Sequence, residues 1–195
     1  NGRASVSAGN FHTVDIGRNS TLTFTTTDGT YVIDELTIDR ESTLNLSPGD
    51  YWIRSFQLDR DIEVNVTGNG TARIYSESIQ IGREVLLNDT GDPSKLVIIA
   101  DGDISFDRNI SASGYIYATG TVAFNREIAL LGGVSANTVT LNRDTEITYD
   151  QTGLATTDFA NLCPAAELIH HYDIIHPAKA FTCEGADITV KACED

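Results

Sequence analysis

The chain has 195 residues, with 28 acidic against 13 basic, a formal net charge of -15 and 41% hydrophobic residues. That is apolar content for one sizeable core, so the chain is globular rather than disordered. The acidic excess repels phosphate backbones and excludes nucleic acid as a partner. No apolar run approaches the roughly 18 residues of a membrane-spanning helix, which excludes membrane insertion of this segment.

Sixteen Gly, four Pro, no Met and abundant Thr, Ile and Val favour strands and tight turns over helices. The chain opens on Asn1-Gly2-Arg3 with no signal-peptide pattern, as a mature protein or a trimmed piece of one would; this excludes nothing about export.

From there a four-residue unit recurs seven times: an apolar residue, then Gly, Asp or Asn, then Arg, then Asn, Glu or Asp. The first copy is Ile16-Gly-Arg-Asn19 and the last Leu141-Asn-Arg-Asp144. The arginines are Arg18, Arg40, Arg60, Arg83, Arg108, Arg126 and Arg143, at spacings of 22, 20, 23, 25, 18 and 17. Four residues before each stand Val14, Leu36, Phe56, Ile79, Ile104, Val122 and Val139; four after stand Leu22, Leu44, Val64, Leu87, Ala112, Leu130 and Ile147. Apolar residues at -4, -2 and +4 have strand periodicity and face one core. The Gly, Asp or Asn before each Arg tolerates a left-handed backbone, so that residue is expected to make the corner. Each copy reads strand, arginine corner, strand, with a third short strand in places, as at Tyr115–Ala118 and Val134–Ala136.

A period near 20 with no helical pattern predicts an all-β fold: a right-handed parallel β-solenoid (β-helix) of about seven coils over residues 1–150. Unequal spacings bulge out as loops, the longest interval holding the surface loop Asn88–Ser94. A β-sandwich of similar strands would not keep one register through seven copies.

In such a stack the arginines form one column at roughly 4.8 Å per level. Five of the residues that follow them are acidic (Glu41, Asp61, Glu84, Glu127, Asp144), and so are three that precede them (Asp39, Asp59, Asp107). The column is therefore either an interleaved surface salt ladder, or a strip of guanidinium forks that recognises an anionic or hydroxyl-rich polymer. Asp101/Asp103 and Asp89/Asp92 match no calcium motif and read as solvated turns.

After Asp150 the register stops. Residues 151–195 form a linker with a short helix, then a C-terminal β extension at Leu168–His176 and Phe181–Cys193, where a further region begins. His170, His171 and His176 make a weak ligand set, because on a strand His170 and His176 lie about 20 Å apart. Cys163, Cys183 and Cys193 allow three pairings, and spacing selects none. The sequons at Asn19, Asn65 and Asn69 are those expected of a Thr-rich chain. No nucleophile elbow, phosphate loop or Cys/His pair is present, so no catalytic, cofactor-binding or metal residue is assigned.

Two stretches carry a family resemblance. One runs through Leu46-Ser-Pro-Gly-Asp-Tyr-Trp-Ile53, Pro93-Ser-Lys-Leu-Val-Ile-Ile-Ala100, Gly114-Tyr-Ile-Tyr-Ala-Thr-Gly120 and Gly133-Val-Ser-Ala-Asn-Thr-Val139. The other is His171-Tyr-Asp-Ile-Ile-His176 with Phe181-Thr-Cys183 and Ile188-Thr-Val-Lys-Ala-Cys193. Through these the chain resembles the MshQ-like proteins of the mannose-sensitive haemagglutinin (MSHA) type IV pilus system. The resemblance implies a pilus-associated protein on the surface of a Gram-negative bacterium, with pilus components as partners and β-sandwich modules following. Repeats of that family put Asn at the corner where this chain puts Arg. The expected function is a non-enzymatic surface module, a rigid spacer and adhesive domain with a surface polysaccharide or glycan as ligand. The alternative is a carbohydrate-active enzyme on the same scaffold, for which carboxylates facing a groove outside the repeat register would speak. Binding to ice needs a Thr-x-Thr array in every coil, and only Thr21–Thr23 and Thr25–Thr27 approach one.

Overall fold

The computed structural model describes residues 2–160 in full, together with the backbone of 171–175 and 189–193. Two compact units divide the chain, Asn1–Asp158 and Phe159–Asp195.

The first unit is a parallel β-solenoid. Each coil presents three faces, and the register that the repeat predicted is the register that pairs. Before the arginine corner, Val14, Leu36, Phe56, Ile79 and Ile104 lie strand over strand, as do Ile16, Ile38, Leu58, Ile81 and Phe106. After it, Leu22 pairs Leu44, then Val64, Leu87 and Ala112. The third face stacks Ile33, Ile53, Ser76, Ala100 and Ala118. Alternate residues point inwards, which gives Ile62–Val66 its buried–exposed alternation and puts the apolar set in one continuous core. Each such Leu, Ile or Phe stabilises the fold by about 1.5–3 kcal/mol relative to solvent exposure. Inside the early coils Tyr31 stacks on Tyr51 with ring centroids 4.8 Å apart, and Phe24 meets both edge-on. The buried Tyr51 hydroxyl donates to the Ser47 carbonyl at 2.7 Å, and burial raises its pKa well above the ordinary phenol value. Phe106 and Phe124 repeat the stacking further along.

The corner itself differs from expectation by two residues. The left-handed residue follows each arginine: Asn19, Glu41, Asp61, Glu84, Asn109, Glu127 and Asp144 all have φ between 54° and 60°. The residue before the arginine is still in the ladder, because Asp39 N–H donates to Ile16 O at 2.8 Å, Asp59 to Ile38 O at 3.0 Å and Gly82 to Leu58 O at 2.9 Å. The left-handed residue then turns its own N–H onto the arginine carbonyl of the next coil, as in Asn19 to Arg40 (3.1 Å) and Glu84 to Arg108 (3.0 Å). A left-handed glutamate costs roughly 1–2 kcal/mol, which the two flanking ladders offset. Gly82 has a different task. A Cβ there would lie 1.7 Å from the Asp59 carbonyl oxygen, whereas at Gly17, on the outermost arginine level, it would meet nothing within 4 Å.

The coil count also differs: the solenoid has about five turns, not seven. All seven arginine corners are present, but the apolar residues at -4, -2 and +4 are fully buried only around Arg40, Arg60, Arg83, Arg108 and Arg126. At the first level Val14 and Ile16 are half-buried; at the last, Val139 and Leu141 are 41% and 53% exposed. An end level has a neighbour on one side only, so it closes half a core.

The interval Asn88–Ser94 is a loop ending in a 3-10 turn, Pro93–Lys95, capped by Asp92. Asn88 is not on the surface: it is fully buried, its Nδ2 donating to Ser113 O at 2.9 Å and to Asp92 O at 3.0 Å. The short helix predicted in the linker is Gln151–Thr156, where the Asp150 carboxylate accepts from Thr152 and Gly153 N–H. Within the second unit His171–Ile175 pairs antiparallel with Thr189–Cys193. His170, His176, Cys163 and Cys183 lie outside the described residues.

Candidate functional site

The arginine column runs up one corner. Its five interior members, Arg40, Arg60, Arg83, Arg108 and Arg126, are half-buried, while Arg18 and Arg143 at the ends are exposed. In-register stacking sets like on like, so arginines follow arginines and the acidic residues behind them form a second column. The two columns touch within a corner: Arg60 Nε lies 3.8 Å from Asp61, Arg126 Nε 3.6 Å from Glu127, and Arg143 Nε 3.1 Å from Asp144. Arg18, Arg40, Arg83 and Arg108 make no ion pair among the described residues. The charges are therefore segregated, not interleaved. Along the acidic column the hydrogen bond that protonated Glu84 donates to Asp61, with the repulsion between the two carboxylates, raises the pKa of Glu84. A shallow groove of about 400 Å³ opens beside it, lined by Glu84, Asn109, Glu127, Asp144 and Glu146 over Ile110 and Ile128. Of these carboxylates all but Glu146 sit in the repeat register.

A second surface departs from the repeat. On the outside of the third face, register stacks Val32, Trp52, Tyr75, Ile99 and Tyr117 one above another. Trp52 and Tyr117 are about half exposed, at 50% and 48%. The Trp52 and Tyr75 rings are stacked, 4.1 Å apart and 11° from parallel. Alongside runs the corner between the third face and the next, carrying Asp34, Arg54, Glu77 and Asp101. Asp34 ties this corner together, 2.6 Å from His12 Nδ1 and 2.5 Å from an Arg54 guanidinium nitrogen. The hydrogen bond from His12 lowers the Asp34 pKa most; loss of hydration opposes it, and the Arg54 charge adds to the lowering. Between column and corner lies a groove of about 380 Å³. On the other flank Arg73, 9% exposed, is held by Asp50 at 2.6 Å and Asp158 at 2.7 Å.

The repeat gave no warning of this surface, because its register reads only inward-facing positions; the available signal was aromatic residues at equivalent outward positions of successive coils. The acidic turns are occupied locally. Asp101 accepts from the Thr119 hydroxyl at 3.1 Å, Asp103 from Thr121 N–H at 2.7 Å, Asp89 from the Ser111 hydroxyl at 2.7 Å and Asp92 from the Ser94 hydroxyl at 2.6 Å. Among the described residues no three His, Cys, Asp or Glu side chains gather into a metal-binding group, and no helix is long and apolar enough to cross a membrane.

Residues 3–155 match the family described as a domain of unknown function, DUF7305, and residues 169–195 match a second, DUF8613. The first match covers most of the chain, which therefore belongs to the DUF7305 family. No curated protein and no solved structure matches it.

Proposed function

We propose that this DUF7305 chain is a non-enzymatic module displayed outside a Gram-negative cell as part of a pilus-associated protein, acting as a rigid spacer with an adhesive, glycan-binding surface. The observation that carries the reading is the in-register parallel pairing of successive levels of the first unit, from Arg3↔Thr21 at one end to Gly132↔Tyr149 at the other. A stack in which each level is bonded to the next resists bending and stretching, and it offers the same face at each level. The likeness of 171–193 to MshQ-like proteins supports the pilus association. Glu84, Glu127 and Asp144 lie within the repeat, as a structural acidic column would. Asp34, Glu77 and Asp101 line a groove outside the arginine register, but Asp34 is already engaged by His12 and Arg54 and Asp101 by Thr119, which favours binding over catalysis there.

Two experiments test it. Protease shaving of intact cells that make the protein should release peptides from residues 1–158; their retention would overturn the surface location. A glycan-array screen of the chain should return bound glycans, and a blank array would leave the spacer without the adhesive role.

A further inference from the structure

We propose that the groove between the aromatic column and the Asp34–Arg54–Glu77 corner is a carbohydrate-binding cleft for a linear polysaccharide of neutral or amino-bearing pyranoses. The proposal rests on the adhesive reading above and adds to it the site and the class of sugar.

The cleft is two-sided in its chemistry. One wall is Val32, Trp52, Tyr75 and Ile99; the other is Asp34, Arg54, Glu77 and Asp101. A pyranose has that same division, with a C–H face that packs on an aromatic ring and equatorial hydroxyls that bond sideways to carboxylates and guanidinium. The rings are placed for such packing. Because Trp52 and Tyr75 are parallel and in contact, each turns its other face towards a shorter neighbour, Val32 beside Trp52 and Ile99 beside Tyr75. Each of these positions is a step in the column, where an aliphatic side chain follows a ring. With Tyr117 on the next level, the apolar column extends over five successive levels.

Charge selects among sugars. The polar wall carries three carboxylates against one guanidinium, Arg54 is already bound by Asp34, and the whole chain is at -15. Uronates, sialic acids and sulfated glycans are repelled, while hydroxyls and protonated amines are accepted. The wall also comes to the cleft shaped, since the Asp34 carboxylate is held by both His12 and Arg54 before any ligand arrives.

The test uses a reporter already in the cleft, because Trp52 is the single tryptophan of the chain. The full chain is titrated with hexasaccharides of glucose, mannose, N-acetylglucosamine and glucosamine, with a hexagalacturonate as the anionic probe, and tryptophan emission is followed. A saturable change with at least one neutral or amino-bearing probe and none with the galacturonate is the expected result. Calorimetry then compares the parent with Tyr75→Ala, Glu77→Gln and Arg60/Arg83/Arg108→Asn. The first should weaken binding at least tenfold, the second several-fold, and the third by less than twofold, with far-ultraviolet circular dichroism unchanged in all. Binding that the arginine variant loses and Tyr75→Ala keeps overturns the cleft but leaves the adhesive reading standing. Failure of every probe to bind overturns the cleft, and if the glycan array is blank as well the adhesive reading falls with it. A parent that self-associates in sedimentation, and stops doing so as Trp52→Ala, would make the face a contact between copies and overturn the cleft.

Discussion

Two edges of one solenoid differ in what they repeat. The arginine corner recurs at every level with the same backbone conformation, from Asn19 to Asp144, and its side chains meet mostly their own corner. The aromatic column uses the same stacking but changes residue at each level, from Val32 to Trp52, Tyr75, Ile99 and Tyr117. A feature that repeats uniformly answers a demand present in every coil, namely turning the chain and covering the core. A feature that varies along the stack answers something outside it.

The largest expected effects lie in what the two edges share. Phe56→Ala empties a fully buried position in the middle of the stack and should cost about 3–5 kcal/mol in urea unfolding. Gly82→Ala should cost about 2–4 kcal/mol, because its Cβ would run into the backbone carbonyls of Asp59 and Leu58, whereas Gly17→Ala at the outermost arginine level should be near neutral. A cost at Gly17 equal to that at Gly82 would show that the end level is as enclosed as the middle. Glu84→Asn replaces a strained left-handed glutamate with a residue that tolerates φ of 60° and should raise stability by about 1 kcal/mol. Arg83→Ala should cost under about 1 kcal/mol, since its guanidinium forms no ion pair among the described residues. A loss of several kcal/mol there would make the column a tight network after all.

The smallest effect is in pH. The raised pKa of Glu84 means that the folded pair with Asp61 keeps a proton which the unfolded chain has released above 4.5. That contribution favours the folded state below 4.5 and is lost as pH rises through the folded value. Glu84→Gln should therefore flatten the pH dependence of the melting temperature on the alkaline side of 4.5; an unchanged profile would show the two carboxyls to be independent.

The inward pattern was legible in the sequence because burial repeats it: Leu36, Phe56, Ile79 and Ile104 occupy the same position in four successive coils, and only apolar residues fit there. The corner was legible as a place but not in detail. Asp and Asn at the residue before arginine suggested the left-handed conformation, yet the N–H of Asp39 and of Asp59 is bonded into the ladder and neither residue has positive φ. Seven arginines implied seven coils, but a corner can form without a closed core, and Val139 and Leu141 show one that did. The aromatic column escaped because Trp52 and Tyr117 are single residues in strands whose other outward positions are polar, and only the stacking of levels brings them into line.

The contrast between the edges is tested most directly by taking two variants through the same pair of measurements, urea unfolding and titration with the best-bound hexasaccharide. One is Arg60/Arg83/Arg108→Asn and the other Trp52/Tyr75/Tyr117→Ser. The account predicts a dissociation: the arginine variant binds as the parent does, while the aromatic variant, losing the Trp52–Tyr75 contact, stays cooperatively folded with a modestly lower unfolding midpoint and no longer binds. An arginine variant that loses binding while the aromatic variant retains it would contradict the account and return recognition to the arginine edge.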